Sequence, residues 1–364
     1  MMGFLSSVMR WWKGMSRPQQ WFFLLPFVVL VYLLPIINPP VITTEPGNNF
    51  PISLFTMAIY ALAAVGLNVV VGYAGLLDLG YIAFFAVGAY VSAVFTSPDS
   101  PYVKIPYLWT IPVAIFTAMV FGAALGVPTL RLRGDYLAIV TLGFGEIVRI
   151  MATVIPALRG NLGFSNVGHP PGDYPSGQPI FTPDNGVAWY WVAITVVIFV
   201  LVIVGNLERS IVGRNWFAIC QDEDAAEVMG VNTFSFKVWA FAIGAAIGGL
   251  SGSLQAAQTG FVNNQRFDVA TSVLFLVAVV LGGSGNKFGA AIGGALVAYI
   301  PLRFTEIAQY KYLIFGVCLI LLMLFRHEGL FPMKANLFSR QVLLRKLSLR
   351  HSPDKRASSS PSGS

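Results

Sequence analysis

Charge is what this sequence has least of. Only 11% of its 364 residues are Asp, Glu, Lys or Arg, against about 25% in an average soluble domain. With 56% hydrophobic residues beside so little charge, the chain cannot turn a polar surface to water on every side, which excludes an ordinary soluble enzyme or signalling domain. Cysteine is almost missing as well. Cys220 and Cys318 are the only two; they lie far apart and match no metal or redox spacing, so a disulfide framework is excluded. Histidine is limited to His169, His327 and His351, scattered through loops and tail, with no zincin helix or nucleophile elbow to accompany them. No catalytic set and no metal-ligand set assembles. The closest approach to a phosphate loop is GGSGNKFG from Gly282. It fails, because a Walker A motif needs Gly-Lys followed by Ser or Thr after a strand, whereas here Asn286 precedes Lys287, Phe288 follows, and both flanks are apolar. A tight turn is the expectation there.

What the chain does have is apolar runs of bilayer length, about 20 residues per helix. They cover 21–37, 52–71, 81–95, 108–127, 136–155, 189–206, 238–257, 269–281, 288–302 and 312–325. The expected fold is an all-α polytopic membrane protein of about ten transmembrane helices. The short runs at 269 and 312 are candidates for broken or re-entrant helices. A signal peptide is the rival reading of the first run, but Asn38-Pro39-Pro40 follows it without a small-residue cleavage pattern, which favours a retained anchor helix. The net charge of +7 does not call for nucleic acid. Lys and Arg gather at the termini and in short loops, as the positive-inside rule expects of a multi-pass protein. Alternating the spans then puts both termini in the cytoplasm, together with Arg131, Arg133, Arg209 and Arg214. The long loop 156–188 falls outside, with Arg159 as its one basic residue. The expected organisation is a cytoplasmic leader over 1–20, a permease domain over 21–325 and a basic cytoplasmic tail over 326–364, whose Ser-rich end is expected to be disordered.

Small residues recur at helical-face spacing. Gly244, Gly248 and Gly252 form overlapping G-x-x-x-G steps, as do the pairs Gly122/Gly126 and Gly289/Gly293, and such stripes let helix backbones approach closely in lipid. A short echo links VVGYAG at Val70 to VLGGSG at Val280; it reads equally as shared ancestry or as convergence of two glycine-rich hairpins. Ionisable groups within the spans are few. Glu146 and Arg149 sit three apart on one helix after Asp135, and Asp78 lies in the turn GYAGLLDLG. An intramembrane charge is costly and marks either a pathway or a self-neutralising structural pair. So few such groups, and no nucleotide site, leave an uphill transporter without an energy source of its own. That directs attention to the long polar, charge-mixed segment 211–236 inside the loop 207–237. Residues 213–230 are expected to form a turn and then a helix, with Asp222, Glu223 and Asp224 at its start, where the dipole favours acids. Ala225, Ala226 and Met229 would supply a small apolar face and Gly230 a stop. Such a helix suits docking into a groove of a soluble partner; a plain solvated loop helix is the bland alternative.

At these residues the chain also resembles a family, the LivM-type permease subunits of branched-chain amino acid ABC importers. The blocks are GLNVVVGYAGLLDLGYIAFFAVGAY from Gly66, LRGDYLAIVTLGFGEIVRI from Leu132, the stretch beginning GRNWFAICQDEDAAEVMG at Gly213, and GGSGNKFGAAIGG from Gly282. The resemblance implies a subunit that pairs with a sister permease as a heterodimer in the bacterial plasma (inner) membrane. Two cytoplasmic ATPases would drive it, and an extracytoplasmic binding protein would deliver leucine, isoleucine or valine. It implies no cofactor on this chain, ATP being bound by the partners. By position, Gly213, Arg214, Glu223, Ala225, Ala226 and Gly230 match the family's ATPase-coupling loop. Asp78 and Tyr81 stand where many members have Ser and His, and the loop after Arg159 lacks the usual Thr-Gly-Gly run. Urea, short amides and other amino acids therefore stay open as substrates, as does a standalone secondary transporter.

Overall fold

The computed structural model describes residues 17–39, 49–129, 135–174, 179–325 and 329–330. The leader before Arg17, the basic loop of Arg131 and Arg133, and nearly all of the tail lie outside the described residues. Every apolar run becomes a helix. They are α1 (Arg17–Ile37), α2 (Phe50–Asn68), α3 (Ile82–Thr96), α4 (Tyr107–Thr129), α5 (Asp135–Val154) and α6 (Gly186–Arg209). After two short helices, α7 (Ile211–Gln221) and α8 (Glu223–Val228), come α9 (Thr233–Thr259), α10 (Val269–Gly282), α11 (Lys287–Arg303) and α12 (Lys311–Phe325). The first helix starts at Arg17, inside the stretch expected to be leader.

The helices differ in length, and some reach span length only with the turns that precede or follow them. Six segments among the described residues are long and apolar enough to cross a membrane: Phe50–Tyr73, Tyr107–Thr129, Tyr136–Val154, Gly186–Arg209, Thr233–Thr259 and Asn264–Gly282. The 15-residue α3 and 14-residue α10 rise only about 21–23 Å by themselves, short of a hydrocarbon core of roughly 30 Å. They meet near the middle of the bundle. The backbone N–H of Ile82 donates to Ser272 Oγ at 3.4 Å, and Tyr81, Phe85 and Tyr60 all set their rings against Phe275.

The long α9 is the axis of the bundle, packed along α2, α3 and α4. Its glycine face makes this possible. A Cβ on Gly252 would lie 1.9 Å from the carbonyl oxygen of Phe85, and one on Gly88 of α3 would lie 1.9 Å from the carbonyl oxygen of Gly249. The two backbones are therefore in contact, as the small-residue spacing predicts. The close approach brings Ser92 Oγ to Ser253 Oγ at 2.6 Å, so both hydroxyls are satisfied without water.

The loops sort to two ends. At one lie the turn 74–80, α7, α8 and the turn 283–286. At the other, Phe164–Ser165 pairs antiparallel with Phe261–Val262, and Asp99 binds Arg159 at 3.0 Å and the N–H of Ser165 at 2.8 Å. The Ser165 N–H, with Arg159 second, holds the Asp99 carboxyl below the usual carboxylate range. This division agrees with the alternation of spans read from the sequence.

Candidate functional site

The polar segment 211–232 forms a compact platform at the first end. Ser210 caps α7, its Oγ accepting from the N–H of Gly213 at 3.4 Å. Gly213 is required by contact, since a Cβ there would lie 2.5 Å from the carbonyl oxygens of Leu207 and Glu208. The expected turn at the start of this segment is thus a helix of three turns, because the cap and the apolar residues Trp216 and Ile219 give it a buried face. Trp216 is completely buried and its Nε1–H donates to the carbonyl of Phe236 at 2.6 Å, which pins α7 to the start of α9. At Asp222 the backbone becomes extended, and that carboxylate caps α8 by accepting from the N–H of Ala225 at 3.0 Å. Gly230 ends the segment with φ +87°, and the N–H of Val231 reaches back to the carbonyl of Ala226 at 3.0 Å, a left-handed stop of the expected type.

Ala226 sits differently from the sequence expectation, and Glu223 is held by an ion pair. Ala226 does not share a face with Ala225 and Met229: it is buried against the bundle, and the outward apolar surface is Ala225 with Val228 and Met229, the last two 87% and 83% exposed. A six-residue helix leaves only one side free once Ala226 is packed. Glu223 does not point freely outward. Its Oε1 lies 2.5 Å from Nζ of Lys237, whose side chain is only 5% exposed. Arg214, by contrast, is exposed, its guanidinium reaching only the carbonyl of Arg209 at 3.4 Å.

Lys237 is the residue that sequence reading missed. One signal existed: it lies near the N-terminal end of α9, where the helix dipole disfavours a cation, so its placement there calls for a carboxylate. Beside the platform, Lys287 pairs with Glu208 at 2.8 Å, and the N–H of Gly285 donates to Asn68 Oδ1 at 2.8 Å. Asn68 leads into the first glycine-rich turn and Gly285 belongs to the second, so the two echoing segments meet. Gly75 of the first turn rests on Cys220 of α7.

The remaining candidates lie apart. Asp78 is buried in the turn, Oδ1 accepting from the N–H of Gly80 at 2.8 Å while Oδ2 has no partner among the described residues. Burial pushes its carboxyl up to about 6. The neighbouring Leu79 N–H donates to Thr141 Oγ1 of α5 at 3.0 Å, tying the turn to that helix. Glu146 and Arg149 do pair with each other, through Arg149 Nε at 2.9 and 3.0 Å and through the outer guanidinium nitrogen. Each side chain is about one third exposed on this chain, 35% and 33%. The structure describes Asp135 as the first residue of α5 and its side chain lies outside the description.

The family described as branched-chain amino acid transport system, permease component, matches residues 50–323. The chain is similar to the high-affinity branched-chain amino acid transport system permease protein LivM of Escherichia coli (strain K12), with 35% identity over 325 residues that cover 84% of this chain and 75% of that protein. It is 23% identical to a probable branched-chain amino acid transport permease protein LivM of Methanocaldococcus jannaschii over 77% of this chain and 92% of that one. The ribose import permease protein RbsC of Haemophilus influenzae is 24% identical over 81% of this chain and 88% of its own. No solved structure matches.

Proposed function

Since the chain belongs to the permease-component family of branched-chain amino acid transport systems, we propose that it carries leucine, isoleucine and valine across the bacterial plasma membrane, working with a sister permease, two cytoplasmic ATPases and an extracytoplasmic binding protein. The observation that carries this reading is the 35% identity to the Escherichia coli protein over most of both chains. ATP is bound by the partners, and this chain receives the work.

The platform of α7 and α8 supports that division of labour. It is polar, it projects from the bundle, and its outermost side chains, Arg214, Val228 and Met229, are exposed. An exposed cation and two exposed apolar side chains on one polar segment suit a shallow groove on a soluble ATPase. Gly213, Ala226 and Gly230 shape the platform, Ala225 lies on its outer surface, and Glu223 ties it down. Charge reversal at Arg214 tests this. In proteoliposomes holding the whole complex, R214E is expected to lower leucine uptake about tenfold or more, and to reduce the ATP hydrolysis evoked by the loaded binding protein, while the subunit still inserts. Uptake and stimulated hydrolysis both at wild-type rates would overturn the docking assignment. Leucine flux through the purified chain alone, driven by an ion gradient, would overturn the importer reading itself.

A further inference from the structure

A cavity of about 200 Å³ opens between α2, α3, the end of α9 and the start of α10. It begins at the end of the bundle that holds the β pair and reaches Ile82, where the short α3 starts. Three aromatic rings, Phe85, Phe267 and Phe275, form much of its wall, and Tyr60 and Gln255 bring polar atoms into it. Arg266 stands among the lining residues. No carboxylate lies within ion-pair distance of Arg266 among the described residues. The nearest acid in sequence, Asp268, is committed elsewhere: its Oδ1 accepts from both the N–H and the hydroxyl of Thr271 as the cap of α10.

From this arrangement we infer that the cavity is an amino-acid chamber, in which Arg266 holds the α-carboxylate and the ring cluster takes an aliphatic side chain. The inference rests on the proposed function and names a place on this chain for that substrate. Three features support it. The volume is below the ~300 Å³ at which pockets for drug-sized ligands begin, and suits a small metabolite. Arg266 is exposed to solvent and lines the cavity, so its guanidinium is open to an entering carboxylate, which it matches in charge and in its two-pronged geometry. The rings supply apolar surface without a charge that would reject leucine or valine. Continuity across the bundle adds a fourth: Ile82, a lining residue, donates its N–H to Ser272 Oγ, so the cavity reaches the junction of α3 and α10.

The test uses the complete complex in proteoliposomes, with Thr56, another lining residue, replaced by cysteine in a C220S/C318S background. Thr56 Oγ1 only returns to the carbonyl of Ile52 in its own helix, so the change is mild. Labelling of T56C by a small maleimide is expected to be slowed by leucine. Isoamylamine, which keeps the side chain and amine but lacks the carboxylate, is expected to protect at least about tenfold more weakly, and R266Q to shift leucine protection by about tenfold or more, with R266K intermediate. Glycerophosphate that protects where leucine does not would make Arg266 a lipid-headgroup contact and overturn the chamber. Leucine uptake by the T56C complex with no leucine protection would overturn the chamber while leaving the importer reading intact. Absence of leucine uptake in the wild-type complex would overturn the importer reading and the chamber with it.

Discussion

Asp78 shows how one atom can set a pH dependence. Its carboxylate is buried with one oxygen satisfied by the N–H of Gly80 and the other without a partner among the described residues. Desolvation raises its pKa from 3.8 to about 6 in the folded protein. The neutral acid is therefore the form that fits the fold. Below about pH 4 the group costs nothing, because it is protonated in both folded and unfolded chains; the cost grows as pH rises towards 6 and is constant above it. Raising the carboxyl from 3.8 to about 6 corresponds to roughly 3 kcal/mol. D78N keeps an acceptor for Gly80 and removes the charge. It is expected to raise the thermal midpoint in detergent at pH 8 by several degrees relative to wild type and to leave it nearly unchanged at pH 4. Equal shifts at both pH values would mean that ionisation is not the cause. A second residue-scale expectation concerns Glu146 and Arg149. Either single neutralisation leaves a lone charge on a spanning helix, so E146Q and R149M should each lower the amount of protein inserted in membranes, while the double change recovers part of the loss.

At the scale of elements, the crossing of α3 and α9 carries the tightest requirement. Backbone lies against backbone at Gly88 and Gly252, so a methyl group at either position has no flexible side chain to push aside. G252A is expected to cost on the order of 1–3 kcal/mol by forcing the helices apart. The same change at Gly316 of α12, where nothing lies within 4 Å, should be neutral. Thermal unfolding of the two variants side by side checks this. Close packing of the α9 glycine face was legible in the sequence because small residues at four-residue spacing have one dominant physical use in lipid, but its partner α3 was not. The helical, membrane-spanning character was legible for a similar reason, since apolar length is the main signal of a span, and six segments among the described residues are long and apolar enough to cross a membrane. The platform was legible only in part. Its polarity and its end at Gly230 could be read, but the helical state of Ile211–Gln221 depends on burying Trp216, and the inward turn of Ala226 depends on which side the bundle occupies. Neither is a property of the local sequence. The chamber was not legible at all: its lining comes from segments separated by as much as about two hundred positions.

Across the whole molecule, the question is how a push on the platform reaches the bundle. The path has few links. Trp216 bonds to the carbonyl of Phe236, and Glu223 bonds to Lys237; both arrive at the first turns of α9, the helix that packs along α2, α3 and α4 and whose far end lines the chamber. A displacement of α7 and α8 therefore acts on one long rigid element, and through Cys220 on the turn at Gly75. If the Glu223–Lys237 pair transmits it, removing the pair should separate ATP consumption from transport. K237M preserves much of the buried stem and deletes the charge. With Glu223 about 30% exposed, water can solvate the remaining carboxylate, so the stability loss should be about 1–2 kcal/mol, below the ~3–5 kcal/mol of a fully buried broken pair. The expected signature is continued ATP hydrolysis by the assembled complex, with leucine taken up per ATP falling several-fold. The exchange E223K/K237E restores opposite charges across the same gap and should recover most of the stoichiometry, giving a coupling between the two sites that the single variants lack. Wild-type stoichiometry in K237M would place the transmission on the remaining contacts of α7, Trp216 with Phe236 and Cys220 with Gly75, and W216F, which deletes the indole donor, tests the first of these.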